Sequence, residues 1–451
     1  MNSKPLIWLA VLAVFLRLFM LVYVSTQEYT QPFPLLELDA REYYQIGQNL
    51  AEHGQFSQSP SEPYAPDSFR TPVYPFLIAL SLQIFNSFYP ILILQALLAA
   101  LTVLIVYRLS VRLLPGRWPF VPATLVALDP IGIVYSNLLM TETLFLFLLT
   151  LALLIFTKST LESRGDNRDL AWVGILLGLA TLTRPISLFL PFLLALLCVI
   201  IRRQIKPALI LVGVFVLTIS PWALRNKLTF DSWSLSAVSS YNLYYYNAMR
   251  FVAARDNLDL DTARSQFDAR LISKYGPGAI SPSLTNSRIF TSEGLKIIKA
   301  DPAGYAGFHL KSLMPFFFTD GLREVTDLLG WTERKYIDLR GMLTSGDLSG
   351  LLAGIQSLGS QAILLILGSL FWVLVFGFWL LGMILGKKER FATVTLFTSS
   401  ALLAVLSGVV TTTRFRYAIS SLLFVLATYG LYQIINRYSG IQRGADHPPG
   451  N

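Results

Sequence analysis

The chain has 451 residues, 54% hydrophobic and 14% charged, with 36 Lys and Arg against 27 Asp and Glu for a net charge of +9. Soluble domains carry about 25% charged residues, so this composition excludes an ordinary soluble globular protein. The single cysteine, Cys198, excludes a disulfide framework and a cysteine metal site.

The basic residues sit beside the ends of long apolar runs, which is the mark of membrane topology rather than of nucleic-acid binding. Each run is long enough to cross roughly 30 Å of hydrocarbon as a helix. A membrane β-barrel would instead show short alternating segments, and runs such as 145–156 and 188–201 do not alternate. The first run, Ile7 to Val24, holds Arg17 and no small-residue cleavage site, so it reads as a retained helix rather than a signal peptide. Spans are expected at 6–25, 88–108, 118–136, 142–157, 170–184, 186–201, 207–224, 361–385, 391–410 and 417–435, which makes an all-α polytopic membrane protein of about ten transmembrane helices.

Every second connection is basic: Arg108, Arg112 and Arg117; Lys158, Arg164 and Arg168; Arg202, Arg203 and Lys206; Lys387, Lys388 and Arg390; and Arg437 with Arg443. The positive-inside rule puts these connections and both termini in the cytoplasm. Two long connections then lie outside. The chain divides into an N-terminal transmembrane module with the first outer loop (1–224), a large outer loop (225–360), and a C-terminal transmembrane module with a short cytoplasmic tail (361–451).

Neither long loop reads as disordered. In the first, Asp39-Ala-Arg-Glu42 has capping-box spacing, and Tyr43, Ile46, Leu50 and Ala51 recur at helical spacing before Gly54. This pattern suits a helix lying on the membrane surface. Thr71 is placed to cap a second one, with Pro72 in its first turn and Val73 to Phe85 apolar but too short to span. In the second loop, Asp301-Pro302 opens a helix over Ala303 to Phe318.

The polar residues that stand out lie on the outer side. Asp39 is placed to act as a general base near the membrane surface, and its spacing also makes it a good cap for its helix. Glu142 begins the fourth span. There an acid either serves function or complements the helix dipole. Outer arginines in short loops are unusual: Arg70, Arg184, Arg225, and the pair Arg414 and Arg416. A guanidinium fork binds phosphate well, while a lone arginine also snorkels to the interface. Tyr241, Tyr244, Tyr245 and Tyr246 suit either stacking on sugars or a membrane-interface belt. The histidines His53, His309 and His447 are too scattered for a local metal motif.

Taken in order, these pieces resemble the GT-C membrane glycosyltransferases, in particular the group containing protein O-mannosyltransferases and lipid A aminoarabinose transferases. The resemblance rests on Asp39 with Tyr43 and Tyr44, Arg70-Thr71-Pro72-Val73-Tyr74-Pro75, Met140-Thr141-Glu142, Thr181-Leu182-Thr183-Arg184-Pro185, Pro221-Trp222-Ala223-Leu224-Arg225-Asn226 and Arg414-Phe415-Arg416-Tyr417. It implies a glycosyltransferase that takes a sugar from a polyprenyl-phosphate carrier and passes it to a lipid, glycan or protein acceptor outside the cytoplasm. It assigns Asp39 as the base and Glu142 as the second acid. Arg414, Arg416, Arg70 and Arg184 would then meet the donor phosphate, and Tyr43, Tyr244 and Arg225 would line the substrate site. Many family members have two adjacent acids in the first loop, whereas here Glu37 and Asp39 are separated. No cofactor is required by such chemistry, although two acids can hold a divalent metal. The expected location is a bacterial inner (plasma) membrane with the site facing outward. The competing expectation is a transporter or flippase for a lipid-linked or anionic solute, which would place polar groups near the bilayer midplane.

Overall fold

The computed structural model describes residues 4–161, 167–203, 205–332, 342, 346–386, 389–410 and 413–445. Among these there is no strand beyond an isolated bridge between Ser57 and Pro66, and the architecture is all-helical as expected. The basic residues Arg164, Lys387 and Lys388 fall outside the described residues.

The first apolar run forms α1 (Lys4–Ser25). The first long connection carries α2 (Leu38–His53), which begins after the extended residue Glu37 and ends on Gly54, whose φ of 66° is a left-handed conformation that favours glycine. Its buried face is Ala40, Tyr43, Ile46, Gly47 and Asn49, laid against α3 (Val73–Phe85). Two details differ from the sequence reading. Asp39 lies in the first turn of α2 instead of capping it. Thr71 does not cap α3, because its hydroxyl donates to the carbonyl of Thr183 at 3.0 Å.

After α4 (Tyr89–Ser110), the run expected to span at 118–136 is divided into α5 (Phe120–Leu128) and α6 (Pro130–Tyr135). Pro130 has no N–H and cannot continue a helix interior. Asp129 therefore leaves helical geometry, and its carboxylate caps α6 by accepting from Ile131 N at 3.1 Å. Arg17 of α1 closes the other side of the break, donating to Ala127 O at 3.2 Å and Val126 O at 3.4 Å. Then come α7 (Glu142–Leu161), α8 (Asn167–Thr183), α9 (Leu190–Arg202) and α10 (Ile205–Phe230).

The second long connection contains α11 (Val238–Tyr241), a π-helical turn (Asn242–Ala248), α12 (Met249–Asp256), α13 (Leu260–Tyr275) and α14 (Ser287–Ala300). They share a small core of their own, including Tyr244, Tyr245, Phe267, Leu271 and Phe290. Asp301 caps the next helix through Gly304 N at 2.8 Å. The single helix expected to reach Phe318 is instead α15 (Pro302–Ser312) and α16 (Met314–Phe318), divided just before Pro315. The connection continues through α17 (Leu322–Leu328) and α18 (Leu348–Ser357). The chain then forms α19 (Gln361–Leu385), α20 (Arg390–Ser407), α21 (Thr413–Tyr417) and α22 (Ser420–Ala445).

Helices α19 and α22 pack along each other at glycines. A Cβ on Gly430 would come within 2.0 Å of the Phe378 carbonyl, so only glycine permits this approach. Among the described residues six helices are long and apolar enough to cross a membrane: Lys4–Ser25, Tyr89–Ser110, Glu142–Thr160, Ile205–Phe230, Gln361–Leu385 and Arg390–Val410. The expected count of about ten is not reached by that measure. The α5–α6 run is broken, α8 and α9 are 17 and 13 residues long, and α22 turns polar in its second half.

Candidate functional site

The site forms where the first long connection meets the N-terminus of α7, the C-terminus of α8 and the short α21. Asp67 shapes the approach to Arg70 by accepting from the backbone N of Phe69 at 3.1 Å and of Arg70 at 2.9 Å. The turn that leads into α7 is fixed from α4. Gln95 donates to the carbonyls of Ser136 and Leu138, both at 2.9 Å, and itself accepts from the Tyr74 hydroxyl at 2.8 Å. Pro185 disfavours helical geometry in the residue before it, and Arg184 is extended, with φ −143° and ψ 113°. This turns its side chain out of the α8 ladder and towards Glu142.

These constraints bring carboxylates and guanidinia together in strict alternation. Arg70 donates from Nε to Glu42 Oε2 and from Nη2 to Asp39 Oδ1, both at 2.6 Å. Arg414 pairs through Nη1 with Asp39 Oδ2 at 2.6 Å and donates from Nε to Glu142 Oε1. Arg184 donates from Nη1 to the same Glu142 oxygen and to Thr141 Oγ1 at 3.1 Å, its guanidinium 5.1 Å from the centre of the Phe415 ring. The chain runs Glu42, Arg70, Asp39, Arg414, Glu142, Arg184. Glu142 is 0% exposed, and its Oε2 has no hydrogen-bond partner among the described residues. Burial alone would raise the carboxyl of Asp39, but the charges and hydrogen bonds of Arg414 and Arg70 outweigh it and hold Asp39 well below the usual carboxylate range.

Of the expected site residues, Asp39, Glu142, Arg70, Arg184 and Arg414 converge, and Tyr43 joins them with its ring 5.1 Å from the Arg70 guanidinium and 5.4 Å from Tyr74. Three others stand elsewhere. Arg416 does not lie open in the turn: it is fully buried, donates to Phe316 O at 3.0 Å and Thr319 Oγ1 at 3.3 Å, and its guanidinium is 3.8 Å from the Trp372 ring centre. Arg225 donates to Asp67 O at 2.7 Å and stacks on Trp222, Phe56 and Phe230. Tyr244 is neither a sugar platform nor an interface anchor but core, its hydroxyl donating to Phe267 O at 3.2 Å.

Sequence reasoning missed Glu42 as a partner, because its place in the capping box gave it another use. It also missed Glu324 and Tyr135. Glu324 sits on α17, in a long connection without motif, and accepts a hydrogen bond from the Tyr135 hydroxyl. The donor set does not fit a divalent cation. Both oxygens of Asp39 and Oε1 of Glu142 already accept from guanidinia, and among the described residues no group of three or more His, Cys, Asp or Glu gathers to hold a metal.

No curated protein matches the chain. Among solved structures, it aligns with the oligosaccharyltransferase AglB of Archaeoglobus fulgidus, in complex with an inhibitory peptide and a dolichol-phosphate, at 14% identity and a TM-score of 0.43. That alignment covers 100% of this chain and 53% of the archaeal protein, so the chain spans about half its length. It also aligns with ArnT of Cupriavidus metallidurans bound to undecaprenyl phosphate, at 11% identity and a TM-score of 0.41, covering 98% of this chain and 79% of that one. In sequence, residues 69–224, which carry Arg70, Glu142 and Arg184, match the model of the dolichyl-phosphate-mannose-protein mannosyltransferase family, and over that segment the chain is similar to these GT-C glycosyltransferases.

Proposed function

We propose that the protein is a glycosyltransferase that moves a sugar from a polyprenyl-phosphate carrier to a hydroxyl acceptor on the non-cytoplasmic side of the membrane. The observation that carries this reading is the position of Arg414. It joins the acid of the first long connection to the acid at the start of α7. The family matched over 69–224 is described by a dolichyl-phosphate-linked sugar, which supports a lipid-phosphate donor here.

The chemistry needs a place for the charge that develops on the departing phosphate, and a positioned guanidinium supplies it. Arg414 and Arg70 are fixed by Asp39 from either side, so their forks are aimed before a donor arrives. A donor phosphate would compete with Asp39 and Glu142 for Arg414, and the resemblance gives the carboxylate of Asp39 the role of base. The convergence of these charges in one place supports a transferase over a transporter or flippase, which would spread polar groups along a path through the bilayer.

Two measurements test this. Purified protein in lipid nanodiscs is incubated with dolichyl-phosphate mannose and with undecaprenyl-phosphate-linked sugars, and release of carrier phosphate is followed. No release from any donor, with any of peptide, glycan or lipid acceptors, refutes the reading. For sidedness, Ile280→Cys should be labelled from the outside alone, and labelling from the cytoplasm would reverse it.

A further inference from the structure

The reaction leaves one proton to be placed, and the two acids at the centre of the site are poorly prepared to take it. Asp39 has one guanidinium on each oxygen at 2.6 Å. Glu142 shares one oxygen between Arg184 and Arg414 and is closed from solvent. Asp39 is held as an anion by its partners, which makes it a weak proton acceptor, and two guanidinia already occupy one oxygen of Glu142.

Glu324 differs in each respect. It lies on α17, half-buried, and α17 packs on α6. Its Oε1 accepts from the Tyr135 hydroxyl, and among the described residues it has no cation within ion-pairing distance. The charged and titratable groups that act on it from neighbouring elements are Tyr135 of α6, Glu37 ahead of α2, and Arg414 and Arg416 of α21. Arg414 thus has the ion-paired acids Asp39 and Glu142 on it, and acts from further off on Glu324, which among the described residues has no ion-pair partner. An anionic donor is drawn to the guanidinia, which leaves the carboxylate side for a neutral hydroxyl acceptor.

From this placement, resting on the glycosyltransferase reading, we infer that Glu324, held by Tyr135, is the group that accepts the proton of the acceptor hydroxyl. In the step, the acceptor O–H proton passes to a Glu324 carboxylate oxygen and the acceptor oxygen bonds to the anomeric carbon of the sugar. The bond from that carbon to the phosphate oxygen breaks with its electron pair on the phosphate, whose added charge Arg414 and Arg70 meet. Asp39 then serves to position those two guanidinia. Burial, with the neighbouring charge of Glu37, pushes the Glu324 carboxyl up to about 7 against the lowering effect of the Tyr135 bond, which suits a base near neutral pH.

The test is the pH dependence of kcat/KM for release of dolichyl phosphate from dolichyl-phosphate mannose, or of the carrier from whichever polyprenyl-phosphate sugar supports transfer. The full chain is used in nanodiscs. Wild type should lose activity as pH falls through the neutral range, because a protonated Glu324 cannot accept. Glu324→Gln should lower kcat/KM by about 10²–10⁴-fold and abolish that acid limb. Tyr135→Phe removes a hydrogen bond that favours the charged form, so it should move the limb to higher pH, which mere loss of structure would not do. Glu324→Asp should restore part of the activity together with the limb. If Glu324→Gln keeps the wild-type limb, another group is the base and the inference fails while the transferase reading stands. If wild type transfers from no carrier, both fail.

Discussion

Among the described residues Arg414 is the one cation shared by Asp39 and Glu142, so its removal should cost more than the loss of an ordinary surface pair. Arg414→Ala leaves Glu142 fully buried with Arg184 alone, and breaking a buried pair from one side costs about 3–5 kcal/mol. Asp39 is 24% exposed and keeps Arg70, so its share is smaller. Lysine at 414 keeps the charge but not the fork: one ammonium cannot take the places of both Nη1 and Nε. Losing one charge-assisted bond predicts about 1.5–3 kcal/mol for Arg414→Lys, between wild type and alanine. Equilibrium unfolding by SDS in mixed micelles would rank the three. The double variant Arg414→Ala with Glu142→Gln removes the stranded charge with its partner. Its loss should therefore fall short of the sum of the single losses by about 0.5–3 kcal/mol. Additive losses, with lysine as good as arginine, would refute the claim that these charges form one energetic unit.

Asp39→Asn keeps the shape of the side chain but removes the anion that fixes Arg70 and Arg414; transfer should fall by about 10²-fold or more with folding retained, checked by initial rates and by elution as a single species. Arg416→Lys should lower stability by about 1.5–3 kcal/mol in the same unfolding assay and leave the donor KM roughly unchanged, because its partners are the Phe316 carbonyl, Thr319 and the Trp372 ring. Gly430→Ala should destabilise by about 1–3 kcal/mol, since the added methyl meets the backbone carbonyl of Phe378, and a neutral result would mean that α19 and α22 can separate freely.

The helical class was legible because apolar length alone decides it. The 361–385 run was read to the residue, since Ser360 and Gly386 bound it in sequence as in structure. The break at Asp129 was missed although Pro130 announced it: a hydropathy window averages over a proline that the backbone cannot ignore. The members of the site were readable because arginines in short connections and acids at span ends violate composition rules. Their pairing was not, because Arg414 and Glu142 are 272 residues apart and Arg70 and Asp39 are 31 apart. Arg416 shows why a motif can mislead. Residues two apart on a helix do not share a face, so α21 turns Arg414 to the acids and Arg416 into the packing of α16 and α19. Glu324 had no signal at all, since nothing in a long loop marks the residue that folding will return to α6.

The α5–α6 break is where the membrane-embedded part of the chain determines the geometry of the site, and Arg17 is the residue that tests it. Val126 would ordinarily receive a hydrogen bond from residue 130, which is proline, and Ala127 from Ile131, whose N–H goes to Asp129. Arg17 supplies both missing donors from α1, while Asn137 returns a bond from its side chain to the Arg17 carbonyl at 3.3 Å. The same turn then runs through Gln95 and Thr141 to Glu142. By hydropathy alone, Arg17→Leu should stabilise, because an arginine at the centre of a span costs about 2.5–3.5 kcal/mol. By the structure it should destabilise, because two buried carbonyls lose their donors at about 1–3 kcal/mol each and Asp129 loses a nearby cation. Unfolding in mixed micelles gives the sign directly. The rate of carrier release gives the second half: if the break positions Glu142, Arg17→Leu must slow transfer more than Gly430→Ala does at matched loss of stability. A variant more stable than wild type and equally active would reduce Arg17 to a tolerated charge in an ordinary span.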